Sequence, residues 1–317
     1  MKKTLVVIAL AFGVSNAFAQ TPLANPKGEV YLPETGDWAI SMDVDPIFHW
    51  LGNAFNQNGG NDNPGTGFLN GDHTIIGKMF TSPTDAWRVL VRIGLTSITD
   101  KNNVRQDLVV TNFPNVAPVV TDKRKRSNTN IGLGIGKEMR RGKTRLQGIY
   151  GADAMLWFSS SKTTYTYGNT MSAINDPAHT SIPTTTDFNQ SLGNGTYGTI
   201  DWTTIPPPDG RSIETKSGTT IGIGVRGFIG AEYFLWPKIS IGAEYGWGIG
   251  FQTTGKGSTS VERTGTNVAG NPDVATQKTE TAGASRFGFD TDMNAGTIFG
   301  FHGSNTGTAS LRATFHF

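Results

Sequence analysis

Several segments of this chain alternate apolar residues with small or charged ones, and this constrains its fold more than any other feature. In "DWAISMDVD", Trp38, Ile40, Met42 and Val44 share one face, while Ala39, Ser41, Asp43 and Asp45 share the other. In "AWRVLVRIGL", Trp87, Val89, Val91, Ile93 and Leu95 oppose Arg88, Leu90, Arg92 and Gly94. A period of two is the repeat of a β-strand, whose successive side chains point to opposite faces. Two arginines on one face need water or carboxylates, whereas the other face needs an apolar surrounding. "NIGLGIGKEM", "TIGIGVRGFIGAEYF" and "ISIGAEYGWGIGF" repeat the pattern, with glycine, Glu138, Arg226, Glu232 and Glu244 on the polar face. "RLQGIYGADAMLWF" gives Leu146, Tyr150, Ala152, Leu156 and Phe158 as its apolar face. "ASLRATFHF" sets Leu311, Ala313, Phe315 and Phe317 against Ser310, Arg312, Thr314 and His316.

No segment approaches the roughly 18 consecutive apolar residues of a membrane helix. A period-two chain can instead enter lipid as a closed barrel, in which every backbone group finds a partner on the next strand. The first residues point to export. Lys2 and Lys3 precede the short apolar run "TLVVIALAFGV", and Ala17-Phe18-Ala19 is a cleavage signature, so a signal peptide over residues 1–19 is expected to be cut after Ala19. Removing those two lysines leaves 27 − 2 = 25 basic residues against 25 acidic ones, and a neutral chain gives no electrostatic case for nucleic acid. With no cysteine, neither disulfides nor lipoprotein processing is expected.

The expected fold is all-β: an eight-stranded antiparallel transmembrane β-barrel with short periplasmic turns and four long extracellular loops. Strands are expected near residues 36–45, 73–80, 86–96, 128–140, 144–158, 217–233, 239–252 and 307–317. "TSPTD", "RRGK" and "FLWPK" read as tight turns. The other connections, about 27, 31, 58 and 54 residues long, are rich in Gly, Asn, Thr and Ser and read as surface loops. A ten-stranded count stays open if residues 286–303 form a further hairpin. Residues 20–35 form an N-terminal periplasmic segment and 36–317 the barrel domain, with no periplasmic domain expected after Phe317. Trp38, Phe80, Trp87, Tyr233, Trp236 and Phe317 fall at the turn side, and Trp157, Phe158, Trp247 and Phe251 at the loop side, as two aromatic belts.

The ending "ATFHF" resembles the terminal signal, here Phe315 and Phe317, by which outer-membrane barrels are recognised by the barrel assembly machinery. The start "LPETGDWAISMDVDPIFHWLGNAFN" and the hairpin "GAEYFLWPKISIGAEYGWGIGF" are similar to small outer-membrane barrels of Bacteroidota, a broad OmpA/OmpX/OmpW-like group. This resemblance implies a Gram-negative outer-membrane location and contact with membrane lipid and lipopolysaccharide; no cofactor is expected. It leaves the activity open, because one architecture carries many functions.

Most motif matches fail on context. "GIGVRG" spells a dinucleotide fingerprint, but strand rather than helix follows it; "GFQTTGKG" approaches a phosphate loop, but Gly257 stands where Ser or Thr is needed. His49, His73, His179, His302 and His316 show no metal-ligand spacing, so no metal is expected. His302, Ser304, Asn305 and Gly307 are similar to the His-x-Ser-Asn stretch of PagL-type lipid A deacylases, but no acidic residue follows Asp292 to orient the histidine.

Asp43, Asp45, Arg88, Arg92, Glu138, Arg145, Asp153, Arg226, Glu232, Glu244 and Arg312 are expected inside the barrel, six acids against five bases. Eight strands leave room for little more than side chains, so these groups are expected to pair and close the lumen; a narrow porin-like channel is the alternative. The run Lys123, Arg124, Lys125 and Arg126 is placed at the foot of a loop, where it offers an anion or lipopolysaccharide contact. The resulting expectation is a non-enzymatic outer-membrane protein, working through its surface loops or as a subunit beside an unidentified outer-membrane protein.

Overall fold

The computed structural model describes residues 23–24, 26–44, 74–109, 115, 118–175, 210–290 and 310–317. These form twelve strands: β1 (Trp38–Asp43), β2 (Ile75–Ser82), β3 (Asp85–Arg105), β4 (Val119–Arg141), β5 (Leu146–Thr166), β6 (Arg211–Lys216), β7 (Thr220–Trp236), β8 (Ile239–Thr254), β9 (Gly257–Thr266), β10 (Pro272–Thr281), β11 (Ala284–Asp290) and β12 (Ser310–His316). Eight of them bond edge to edge in a ring, in the order β1-β2-β3-β4-β5-β7-β8-β12 and back to β1, with every pairing antiparallel.

Three tight connections lie at one end of the ring, at residues 83–84, 142–145 and 237–238. Lys238 takes a left-handed backbone (φ 64°), a conformation that costs a side-chain-bearing residue. Its ammonium pairs with Asp37 and its carbonyl accepts the His316 amide at 2.8 Å, so both flanks hold the turn in place. The segment before β1 packs against this end: the Gly36 amide donates to the Phe80 carbonyl at 2.8 Å, and buried Tyr31 lies 4.0 Å beneath the Arg145 guanidinium.

The ring's two faces differ as the alternation requires. Trp38, Val89, Ile93, Leu133, Leu156, Ile223, Val225 and Ile249 are exposed on the outside, whereas Ala39, Ser41, Arg88, Leu90, Glu138, Phe228 and Phe234 are buried inside. Glycine makes room for the larger inner side chains. Gly134 lies opposite Leu90 on one neighbouring strand and Met155 on the other, and Gly136 lies between Arg88 and Asp153. Gly222 faces Trp157, and a Cβ added there would fall inside the indole ring. Small and large residues thus alternate across strands, which is how a narrow closed sheet fills its interior.

Two expectations change. Phe80 and Trp157, read as belt residues, point inward and are buried, Trp157 with its indole N–H 3.3 Å from Gln252 Oε1. Much of the expected loop is strand. β3 and β4 pair without a break from Asp85–Met139 to Arg105–Val119, so most of residues 97–127 belongs to a hairpin. β6 and β9 continue β7 and β8 upward, and β10 and β11 run beside β9 and β8, so the expected fourth loop is largely sheet too. β11 covers the start of the 286–303 segment considered for a further hairpin, and residues 291–303 lie outside the described residues. Apart from Phe287 and Phe289 on β11, the extension lacks a hydrophobic face because it is rich in Thr, Ser and Lys, and the pattern that betrays a strand fades when both faces are polar.

Candidate functional site

The interior of the ring holds a layer of paired charges set there by strand alternation. Arg88 lies within 3.4 Å of Glu138, 3.4 Å of Asp153 and 3.1 Å of Glu244, with its guanidinium 3.9 Å over the Phe228 ring. Arg226 contacts Asp153 at 3.2 Å and also pairs with Glu244. Nearer the turns, Lys78 reaches Glu138 at 2.9 Å and Glu232 at 3.7 Å; Arg140 meets Glu138 at 3.0 Å and also pairs with Glu232. His316 lies 3.3 Å from both Glu232 and Ser240, between the rings of Phe80 and Phe234. Glu138 joins the two tiers, since it faces Arg88 above and Lys78 and Arg140 below. Arg312 donates to the Thr74 carbonyl at 3.3 Å.

This arrangement gathers most of the expected inward charges and adjusts the set. Arg88, Glu138, Asp153, Arg226, Glu232, Glu244 and Arg312 are buried together, Arg92 is buried further along β3, and Asp43 is half-buried opposite Arg312. Arg145 belongs elsewhere: it precedes β5 at the turn end and stacks on Tyr31. Asp45 lies outside the described residues. Lys78 and Arg140 join the network unexpectedly. The alternation of Ile76, Lys78 and Phe80 pointed to the first, whereas Arg140 was hidden inside what read as the turn "RRGK". Four bases (Lys78, Arg88, Arg140, Arg226) pair with four acids (Glu138, Asp153, Glu232, Glu244), and Arg312 is buried in the same interior.

A second assembly lies above the ring. The Asp122–Arg126 run is the upper part of β4, not the base of a loop, so its side chains divide between faces. Asp122, Arg124 and Arg126 point to the inner side. Arg124 donates to Asp100 from Nε at 3.1 Å and from Nη2 at 3.0 Å, and Arg126 donates to it at 3.0 Å. The Arg124 hydrogen bond, with the charges of both arginines, holds the Asp100 carboxyl below the usual range. Lys123 and Lys125 point outward and are exposed.

Residues 167–175 are fastened across the inner side of this sheet. Arg211 binds Glu262 at 2.6 Å and the Asn169 carbonyl at 2.7 Å while lying 4.3 Å over the Tyr167 ring. Burial raises the Tyr167 phenol above its ordinary range, and its hydroxyl donates to the Ser212 carbonyl. Asn169 bonds Arg105 and Asp107 backbone groups at 2.9 Å each, and the Gly168 amide donates to Asp122 at 2.8 Å.

Among the described residues, no three His, Asp or Glu side chains converge as metal ligands. "GIGVRG" lies within β7, and "GFQTTGKG" runs from β8 into β9, so neither opens a helix. His302, Ser304, Asn305 and Asp292 lie outside the described residues, as do the cleavage segment and His49, His73 and His179. No family model, curated protein or solved structure matches the chain.

Proposed function

We propose that the chain is an exported outer-membrane protein whose ring is a closed transmembrane barrel, with tight turns on the periplasmic side and the polar sheet at the cell surface. We read it as non-enzymatic: a surface-binding protein or the accessory of an outer-membrane assembly, in keeping with its likeness to small barrels of Bacteroidota. The observation that carries this reading is the inversion of the ring, apolar outside and charged inside. A soluble protein rarely exposes a contiguous apolar surface beyond a few hundred Å². On β4 the apolar run from Ile131 to Ile135 lies between Thr129 and Lys137. At ~3.4 Å per residue and a tilt near 40°, those limits are about 20 Å apart along the barrel axis, close to the apolar band of such proteins. Trp38, Trp87, Tyr233, Trp236 and Phe317 are exposed near the turns, and Phe158, Trp247, Phe251, Phe287 and Phe289 towards the other end, where amphipathic rings favour the two interfaces.

The packed interior argues against the channel alternative, since Arg88, Arg226, Phe80, Phe228 and Glu138 leave no exposed surface beyond 1%. In this reading Phe315, outward on β12, and Phe317, exposed just after it, serve as the assembly signal. The full chain, expressed in a Gram-negative host, is expected in the outer membrane as a heat-modifiable species that gives no conductance steps in planar bilayers. Removal of Phe317 should lower the folded yield. Recovery in the soluble fraction would defeat the membrane reading, and regular conductance steps would defeat the closed lumen.

A further inference from the structure

We infer that the outward face of the sheet above the ring binds the phosphate groups of lipopolysaccharide, through Lys101, Lys123 and Lys125. The inference rests on the outer-membrane reading, because it takes its ligand from the leaflet into which that reading sets the ring.

The strand register builds the site. Lys101 lies directly opposite Lys123 across β3 and β4, and Lys125 follows on the same face. Directly opposed side chains place their Cβ atoms about 5 Å apart, and like charges so placed destabilise a sheet. Three ammonium groups are therefore gathered where sheet formation alone disfavours them. A bound polyanion turns that repulsion into attraction.

The surrounding charges sharpen the contrast. Of the other exposed lysines, Lys137 meets Asp85 at 3.4 Å, Lys162 meets Glu214 at 2.8 Å and Lys256 meets Glu280 at 3.1 Å, whereas Lys216, opposite Lys162, forms no ion pair among the described residues. Lys101, Lys123 and Lys125 form no ion pair among the described residues, because the nearby acids Asp100 and Asp122 point to the opposite face. Alternation thus sorts one basic run into two chemistries, arginines paired with Asp100 on the inner side and lysines left open outside. Hydroxyls complete the face. Thr99 and Thr164 flank Lys125, and Thr166 lies beside Lys123, adding neutral donors suited to phosphate oxygens.

The height also fits. Leu95 is the last apolar outward residue on β3 and pairs with Thr129, four positions below Lys125 along β4. With ~3.4 Å per residue and a tilt near 40°, the ammonium-bearing positions begin roughly 10 Å above the apolar band. Lysine stems are long enough to bring their charges down towards a headgroup layer.

The test uses detergent-purified full-length protein and measures binding of phosphorylated lipopolysaccharide, enzymatically dephosphorylated lipopolysaccharide, and phosphatidylglycerol in mixed micelles. The triple variant K101Q/K123Q/K125Q is expected to lose at least tenfold in affinity for phosphorylated lipopolysaccharide, with no change for the dephosphorylated form. R124Q/R126Q should bind as the parent does. Unchanged binding by the triple variant, or an equal loss in the arginine pair, would overturn the site; an equal loss for phosphatidylglycerol would reduce it to general attraction for anionic lipid and overturn the assignment. Fractionation separates this from the reading beneath it. If the triple variant stays heat-modifiable in the outer membrane while binding is unchanged, only the site fails; if the parent does not reach that membrane, both do.

Discussion

Glu138 and Asp100 are both carboxylates on the inner side of the β3–β4 hairpin, and both accept from two or more cationic side chains, yet they occupy different solvents. Glu138 has no exposed surface and is held among Lys78, Arg88 and Arg140. Asp100, further up the same hairpin, keeps 31% of its side-chain surface exposed beside Arg124 and Arg126. Around Glu138 eight strands close the wall, whereas, among the described residues, β1, β2 and β12, with six, eight and seven residues, lie well below the level of Asp100. The lesson is that an ion pair takes its role from the wall around it. Inside the ring, charges replace an apolar core and must be complete; above it they decorate a surface and can be lost singly.

The sharpest way to break this comparison is to leave the interior network one partner short. Glu138→Gln strands Lys78, Arg88 and Arg140, and losing one member of a buried ion set costs about 3–5 kcal/mol. Urea unfolding of the refolded protein in detergent should show a drop of this order. Combining Glu138→Leu with Arg140→Met removes one charge of each sign and should recover part of it. If Glu138→Gln costs no more than a surface pair, the interior is wet and the distinction fails.

The outer faces provide the next contrast. In the proposed bilayer setting, Leu133→Arg places a charge in the middle of the apolar band, with an expected cost of about 2–4 kcal/mol in lipid. Asn103→Arg, on the outward face of upper β3, should stay within about 0.5 kcal/mol. Refolding into lipid vesicles measures both, and equal effects would show that no lipid boundary separates the two heights.

A smaller effect is expected where glycine accommodates an aromatic ring. Gly222→Ala puts a methyl group into the Trp157 indole, and overpacking of this kind costs about 1–3 kcal/mol. The displaced indole loses its contact with Gln252, so Trp157 emission should shift. Adding Trp157→Phe should restore much of the stability, whereas a strained backbone at Gly222 would not be relieved by that second change.

These residues also show what could be read in advance. Arg88, Glu138, Arg226 and Glu244 were legible because a charged side chain every second residue beside Val and Ile faces one way only. The preference of aromatic rings for interfaces points Trp157 and Phe80 to the belts, but their position in the alternation turns both inward. Arg140 was hidden because it directly precedes the β4–β5 turn, where "RRGK" reads as loop. The upper sheet escaped because Thr, Ser and Lys occupy both faces, and a strand with water on either side leaves no hydrophobic period. Asp100 with Arg124, and Lys101 with Lys123, are 24 and 22 positions apart in sequence, so only the register of a long hairpin brings them together.

The smallest expected effect belongs to Asp100, and its sign follows from its partners. Arg124 and Arg126 hold its carboxyl below the ordinary value of 3.8, so the folded state favours the ionised form. The stabilisation is therefore complete above about pH 4 and disappears as pH falls through the lower folded value. Carboxyl-carbon NMR of the detergent-solubilised protein can follow the titration directly. Arg124→Gln should raise the midpoint more than Arg126→Gln, because Arg124 supplies two of the three hydrogen bonds to Asp100. Added salt should bring the midpoint back towards the ordinary value, since charges in contact with water are screened. If the midpoint ignores both arginine substitutions, Asp100 is not held by this pair, and the upper sheet loses its counterpart to the charges sealed within the ring.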